Sequence, residues 1–194
     1  MRFPNRVSYE EFLATMEGKR AEWVDGEVEL MSPASSAHEG ISAFLLTAFR
    51  GFVARRGIGG RVMLPYQMKL ARSGREPDVI YVAAENLPRI RRTYIDGSAD
   101  MVVEVVSPDS RIRDRRTKYL EYEEAGVREY WIVDPMKRTA EVFRLGWDGK
   151  YAPVEPGDPP RLVSEVIPGL WIDPAWLWVE APDEWTAYRE WGLV

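Results

Sequence analysis

The 194-residue sequence contains no cysteine and one histidine, His38. The first absence excludes disulfides, thiolate metal sites and a cysteine nucleophile. The second leaves a serine hydrolase a single possible base, and G-x-S-x-G is absent as well. There is no P-loop. Gly57-Ile58-Gly59-Gly60 is not a dinucleotide loop, because its spacing is wrong and it follows a helical pattern rather than a strand. No apolar run approaches the ~18 residues of a membrane span. The first twelve residues lack the apolar centre of a signal peptide. These absences predict a cytoplasmic protein with no membrane partner. The length predicts one domain over residues 1–194.

Positive charge is scarce overall and unevenly placed. The chain carries 26 Lys/Arg against 31 Asp/Glu, a net charge of −5. Residues 50–118 carry 15 Lys/Arg against 8 Asp/Glu, and the remainder 11 against 23. A basic middle of this kind either holds a polyanion locally or is a solvated face.

Ser8 and Glu11 form a capping-box pattern that opens a helix over residues 9–17. Residues 20–31 read as a hairpin about Asp25-Gly26, a pair suited to the positive φ of a tight turn. Ile41, Phe44, Leu45, Ala48, Phe49, Phe52 and Val53 recur at helical spacing and predict a helix over residues 36–56. Residues 61–70 alternate weakly around Pro65, and residues 72–75 read as a turn. Residues 78–82 and 101–106 are short, β-branched and apolar, as buried central strands are. Between them lies a connection with Arg89, Arg91 and Arg92. A helix is expected over residues 111–125, a strand over 129–133 and a hairpin over 139–154. Six of the eight tryptophans fall between Trp147 and Trp191, a composition suited to covering a sheet or a dimer surface. The expected fold is mixed α/β (α+β): a mixed central sheet flanked by helices, with a smaller sheet from residues 20–31 and 139–154.

Two acids interrupt apolar strands. Asp78 opens P-D-V-I-Y-V, and Glu104 sits in M-V-V-E-V-V. A carboxylate among valines is costly to bury unless it is paired or binds a cation. On neighbouring strands the two converge on one hard divalent ion, Mg²⁺ or Mn²⁺. Asp114, Lys118 and Tyr122 share one helix face. From there Lys118 either reaches back toward Glu104 or pairs with Asp114 in solvent.

Taken together, Y-E-E-F, E-W-V-D-G-E, M-S-P-A-S-S-A-H-E, P-D-V-I-Y-V, V-V-E-V-V-S-P-D-S-R, D-x-x-x-K-x-x-x-Y and G-V-R-E-Y-W-I-V-D-P resemble the Uma2 family over residues 8–178. Uma2 proteins are restriction-endonuclease-like members of the PD-(D/E)xK nuclease superfamily. The resemblance implies a restriction-endonuclease-like core, with residues 179–194 as an aromatic tail. It implies Asp78 and Glu104 as metal-binding acids. The superfamily lysine belongs two residues after the second acid, where this chain has Val106, so Lys118 takes that role. A further acid falls on Glu22 or Glu39, with Glu22 preferred because E-x-x-D-G is part of the pattern. His38, Arg111 and Tyr122 are expected to contact substrate. The implied activity is Mg²⁺- or Mn²⁺-dependent hydrolysis of DNA phosphodiesters, with basic residues in 50–75 and 89–116 along the backbone. The rival expectations are a catalytically inactive nucleic-acid-binding domain and a protein-interaction domain on the same fold. A homodimer joined by the aromatic tail and a tail folded back on its own chain both fit the sequence.

Overall fold

The computed structural model describes residues 6–107 and 113–194. Helix α1 (Tyr9–Thr15) leads into β1 (Ala21–Val24), β2 (Glu27–Leu30) and the long helix α2 (Ser36–Arg56). Strands β3 (Arg61–Met63), β4 (Gln67–Lys69), β5 (Ser73–Arg75), β6 (Val79–Val82), β7 (Tyr94–Asp96) and β8 (Met101–Val105) follow. A wide π-type turn over Arg113–Lys118 runs into α3 (Tyr119–Glu124). The chain continues through β9 (Glu129–Asp134), β10 (Thr139–Leu145), β11 (Tyr151–Val154), β12 (Leu162–Val163), β13 (Trp171–Ile172) and α4 (Glu184–Glu190).

Local signals set several of these boundaries. The Ser8 side chain accepts from Glu11 N while Glu11 bonds back to Ser8 N, a complete capping box. Asp25 and Gly26 both take positive φ, 48° and 92°, and join two strands in antiparallel register. Ser35 caps α2 by accepting from His38 N, and Gly57 ends it at φ 63°.

The central sheet has the order β11-β10-β9-β8-β6-β3. Its β8–β9 pair is parallel and its other pairs are antiparallel. One face buries Val79, Tyr81, Met101, Val103 and Val105 against Phe44, Leu45 and Phe49 of α2. The other face carries Ile80, Val82, Val102 and Ile132 with Tyr122 of α3. This alternation is what a strand period of two requires. It places Glu104 on the α3 side of β8.

A second sheet, β2-β1-β5-β4-β7, packs against α1 through Tyr9, Phe12, Met16, Ala21 and Val28. Here the structure corrects four expectations. Residues 73–75 form β5 rather than a turn, and the 83–100 connection contains β7. Each is only three residues long, too short for a periodic pattern; β5 is held by pairing with β1 and β4, and β7 by pairing with β4. The 139–154 hairpin does not join residues 20–31. It extends the central sheet, because six consecutive residues of β10 pair with β9, from Thr139↔Asp134 to Arg144↔Glu129. The expected 111–125 helix is π-type over Arg113–Lys118 and α-helical only from Tyr119, and residues 111–112 lie outside the described residues.

The aromatic tail folds back on its own chain. Trp191 is 5% exposed, meets Phe52 of α2 edge-on at 5.0 Å and donates Nε1–H to Trp171 O at 2.9 Å. Tyr188 Oη donates to Thr47 O at 2.7 Å. Arg55 and Arg56, in the last turn of α2, donate to Leu193 O and Trp191 O. Among the described residues no helix is long and apolar enough to cross a membrane. Trp191→Ala is expected to cost about 3–5 kcal/mol in urea denaturation, as a deleted buried aromatic does. A change below about 1 kcal/mol would show that the tail adds nothing to the core.

Candidate active site

Asp78 and Glu104 meet because β6 and β8 are neighbours. Val79 pairs with Val103, so the preceding residue, Asp78, lies level with Glu104 at one end of the central sheet. Both are buried, at 4% and 3% exposure. Asp78 Oδ2 accepts from Val105 N at 2.8 Å. Its Oδ1 lies 2.8 Å from His38 Nε2 and accepts from Arg20 Nη2 at 3.1 Å. Burial by itself would raise the Asp78 pKa. The His38 hydrogen bond and charge, the Val105 N–H and the Lys118 ammonium outweigh burial and hold the carboxyl below its ordinary value.

Glu104 is anchored from the helix above it. Lys118 Nζ donates to Glu104 Oε1 at 2.8 Å, and Tyr122 Oη donates to the same oxygen at 2.7 Å. The two donors are one helical turn apart, so their side chains descend together. Lys118 is fully buried and also pairs with Glu22 Oε1 of β1 at 2.9 Å. Glu22 in turn accepts from Arg75 Nη1 at 2.8 Å. Arg75 completes a two-pronged pair with Glu121 through Nε and Nη2, each at 2.7 Å. Burial works against the Arg75 charge, but Glu121 and Glu22 more than offset it and raise its pKa.

Several expectations are resolved by placement. Lys118 does not face solvent, since it is buried against Glu104 and Glu22. Glu22 enters the cluster, whereas Glu39 is exposed. His38 reaches Asp78 rather than standing at the surface. Tyr122, expected to contact substrate, is fully buried with its hydroxyl on Glu104, and burial raises its pKa well above the ordinary tyrosine value. It positions Glu104 instead. Arg111 lies outside the described residues.

Sequence reasoning missed Arg20, Arg75, Glu76 and Glu121. Arg75-Glu76 directly precede Pro77-Asp78, and E-x-x-x-R over 121–125 is absent, so only adjacency to the motif pointed to the first two. The basic middle is also less available than its count suggests. Arg75 is buried, and Arg72, Arg91, Arg92 and Arg115 pair with Asp25, Asp96, Glu17 and Glu141.

The cluster opens into a cleft of about 270 Å³ lined by Arg20, Met31, His38, Asp78, Glu104 and Ser107, among others. A larger open depression over Arg50, Gly57 and Arg61 is lined by no carboxylate, so chemistry rather than size selects the cleft. Among the described residues, the linked cluster sets Arg20, Arg75 and Lys118 against Glu22, Glu76, Asp78, Glu104 and Glu121. It therefore carries more carboxylates than fixed cations. Burial raises the Glu76 pKa, which moderates the excess.

A mixed sheet flanked by helices, with buried acids at a strand end, is a nuclease-like fold. A crystal structure described as a putative nuclease belonging to DUF820, from Anabaena variabilis, has the same fold with a TM-score of 0.72. The superposition covers 88% of this chain and 97% of that one at 19% identity. Residues 9–175 match the Uma2 family, described as "Putative restriction endonuclease", and the chain belongs to that family. No curated protein matches it.

Lys118→Met is expected to destabilise the protein by about 3–5 kcal/mol, because it leaves two buried carboxylates without their shared cation. Adding Glu22→Gln and Glu104→Gln should recover part of that loss, and full additivity of the three changes would contradict the coupling. A second expectation concerns pH in the presence of chelator. The Asp78 pKa is depressed, so its stabilisation is complete above the unfolded value of about 3.9 and is lost as pH falls through the lower folded value. The stability gap between wild type and Asp78→Asn should therefore be constant near neutrality and close below about pH 4. A gap that widens with acid would reverse the assignment.

Proposed function

We propose that this chain is a metal-dependent nuclease that hydrolyses DNA phosphodiesters, with Asp78 and Glu104 holding Mg²⁺ or Mn²⁺ beside Lys118. The observation that carries the reading is the acid pair across neighbouring central strands, with the Lys118 ammonium 2.8 Å from Glu104. The donor set fits a hard divalent cation. Both side chains offer oxygen, and among the described residues the cluster sets five carboxylates against Arg20, Arg75 and Lys118. Among the described residues no three His, Asp or Glu side chains form a ready-made metal cage. Water and a substrate phosphate complete the coordination of such ions in many phosphoryl-transfer sites.

When bound, the cation supplies Lewis acidity and acidifies water. The protein's own contribution is positional and electrostatic. Val105 N–H and His38 fix the Asp78 carboxylate, and Tyr122 and Lys118 fix Glu104. Lys118 holds a positive charge at the floor of the cleft, where negative charge grows as a phosphate is attacked. Glu22, itself held by Arg75, pairs with that lysine. The family description supports a nuclease, and the nucleic-acid substrate follows from that class.

Mn²⁺ titration by calorimetry is the first test. Wild type should bind, and Asp78→Ala/Glu104→Ala should not. In a DNA-cleavage assay Lys118→Ala should lose about 10²–10³-fold in kcat, the scale of one lost electrostatic donor. Mn²⁺ binding with no cleavage at any divalent ion would favour the rival reading, a nucleic-acid-binding domain without catalysis. Cleavage unchanged in Asp78→Ala, Glu104→Ala and Lys118→Ala alike would refute the site.

A further inference from the structure

Among the described residues, Arg20 is the most exposed cation of the cluster, and it lines the cleft together with the buried Lys118. Its side chain is 36% exposed, whereas Lys118 and Arg75 are each 1% exposed. It sits just before β1, and its main chain is pinned because Arg20 O accepts from Met31 N. Its guanidinium donates to Asp78 Oδ1 at 3.1 Å and has Nε 3.7 Å from Glu76 Oε1. Arg20 Nε makes no hydrogen bond.

These contacts put Arg20 in competition with a cation. A carboxylate oxygen offers about two acceptor directions. His38 and Arg20 together occupy those of Asp78 Oδ1, and Val105 N–H takes one of Oδ2. A divalent ion on Asp78 would meet the guanidinium charge next to its own ligand. Like charges so close in a part-buried site repel strongly. Arg20 is the partner able to give way, since His38 and Val105 are held by α2 and β8.

Resting on the nuclease reading above, we infer that Arg20 is an exchangeable placeholder. It neutralises Asp78 while no metal is bound, and it is released by the arriving cation to clamp a phosphate of the substrate. The released group stays in the cleft, tethered by Glu76 and the hairpin. A guanidinium presents a planar fork of N–H donors that matches a phosphate in two-pronged fashion. The exchange ties phosphate capture to metal occupancy, so that DNA is gripped at this position only when the site is loaded.

The test uses the full chain, with Mn²⁺ alone as the first probe and a fluorescent DNA duplex as the second. Arg20→Ala should bind Mn²⁺ about tenfold more tightly than wild type by calorimetry, the scale of one lost charged competitor. Arg20→Lys, which keeps the charge, should stay near the wild-type affinity. Duplex affinity, read by anisotropy, should be nearly equal for wild type and Arg20→Ala in chelator. In Ca²⁺ the Arg20→Ala protein should fall behind by about tenfold. Urea denaturation of both variants checks that they remain folded. Unchanged or weaker Mn²⁺ binding by Arg20→Ala would overturn the placeholder role. Equal duplex affinity in Ca²⁺ would overturn the phosphate clamp. Absence of Mn²⁺ binding by wild type and both variants would instead remove the nuclease reading itself, whereas binding by Arg20→Ala alone would support the exchange.

Discussion

One buried ammonium ties the molecule together. Lys118 Nζ lies between Glu22 of β1 and Glu104 of β8, so a single side chain joins the two sheets. An unpaired charge at that depth would be prohibitively desolvated. The lysine is therefore tolerated only when the hairpin, the central strand and the α3 segment are all in register. Arg75 extends the same dependence, since it holds Glu22 from β5 and Glu121 from α3. A network of this kind adds little net stability compared with apolar packing of equal volume. What it contributes here is a fixed relation between elements that lie far apart in sequence.

The rest of the fold keeps that network rigid. The α2 face of the central sheet is apolar apart from Glu129, which is buried against Trp131 Nε1, and it is sealed by the aromatic tail. The opposite face is apolar under α3 except at one end, where Glu104 and Asp78 stand. Strand ends backed by packed helices place side chains more precisely than loops do. His38 illustrates the division of labour. It sits in the first turn of α2, where Ser35 caps the helix, and the helix's apolar face fixes how far its ring reaches toward Asp78.

The sequence made the long-range periodic elements legible. Helix α2 was readable to the residue because seven apolar positions agree with one period. The β1–β2 hairpin was readable because Asp25-Gly26 admits few other conformations. Asp78 and Glu104 stood out because acids within valine runs violate the local pattern, and such violations mark sites. What stayed hidden depends on tertiary pairing. Strands β5 and β7 have no pattern of their own. Tyr122 looked like a cleft residue because helical spacing reveals a face but not which layer that face meets. Arg20 gave no signal, since an arginine after Gly18-Lys19 is indistinguishable in sequence from a solvated turn residue.

The relation of Val106 to Lys118 shows why position along the chain is a weak guide to charge. Residues 104 and 106 share one side of β8, and a lysine at 106 would lie beside Glu104 on the strand itself. Val106 is instead 2% exposed and packed in the apolar layer that includes Tyr122 and Val127. Lys118 brings the ammonium to Glu104 from the adjoining helix, with Tyr122 one turn further on. The field felt in the cleft depends on where the charge sits, not on which element carries it. From the helix the Lys118 ammonium also reaches Glu22, a contact that couples Glu104 to the second sheet. The strand position is taken up by apolar packing, and the ammonium beside Glu104 has a placement that depends on the whole fold.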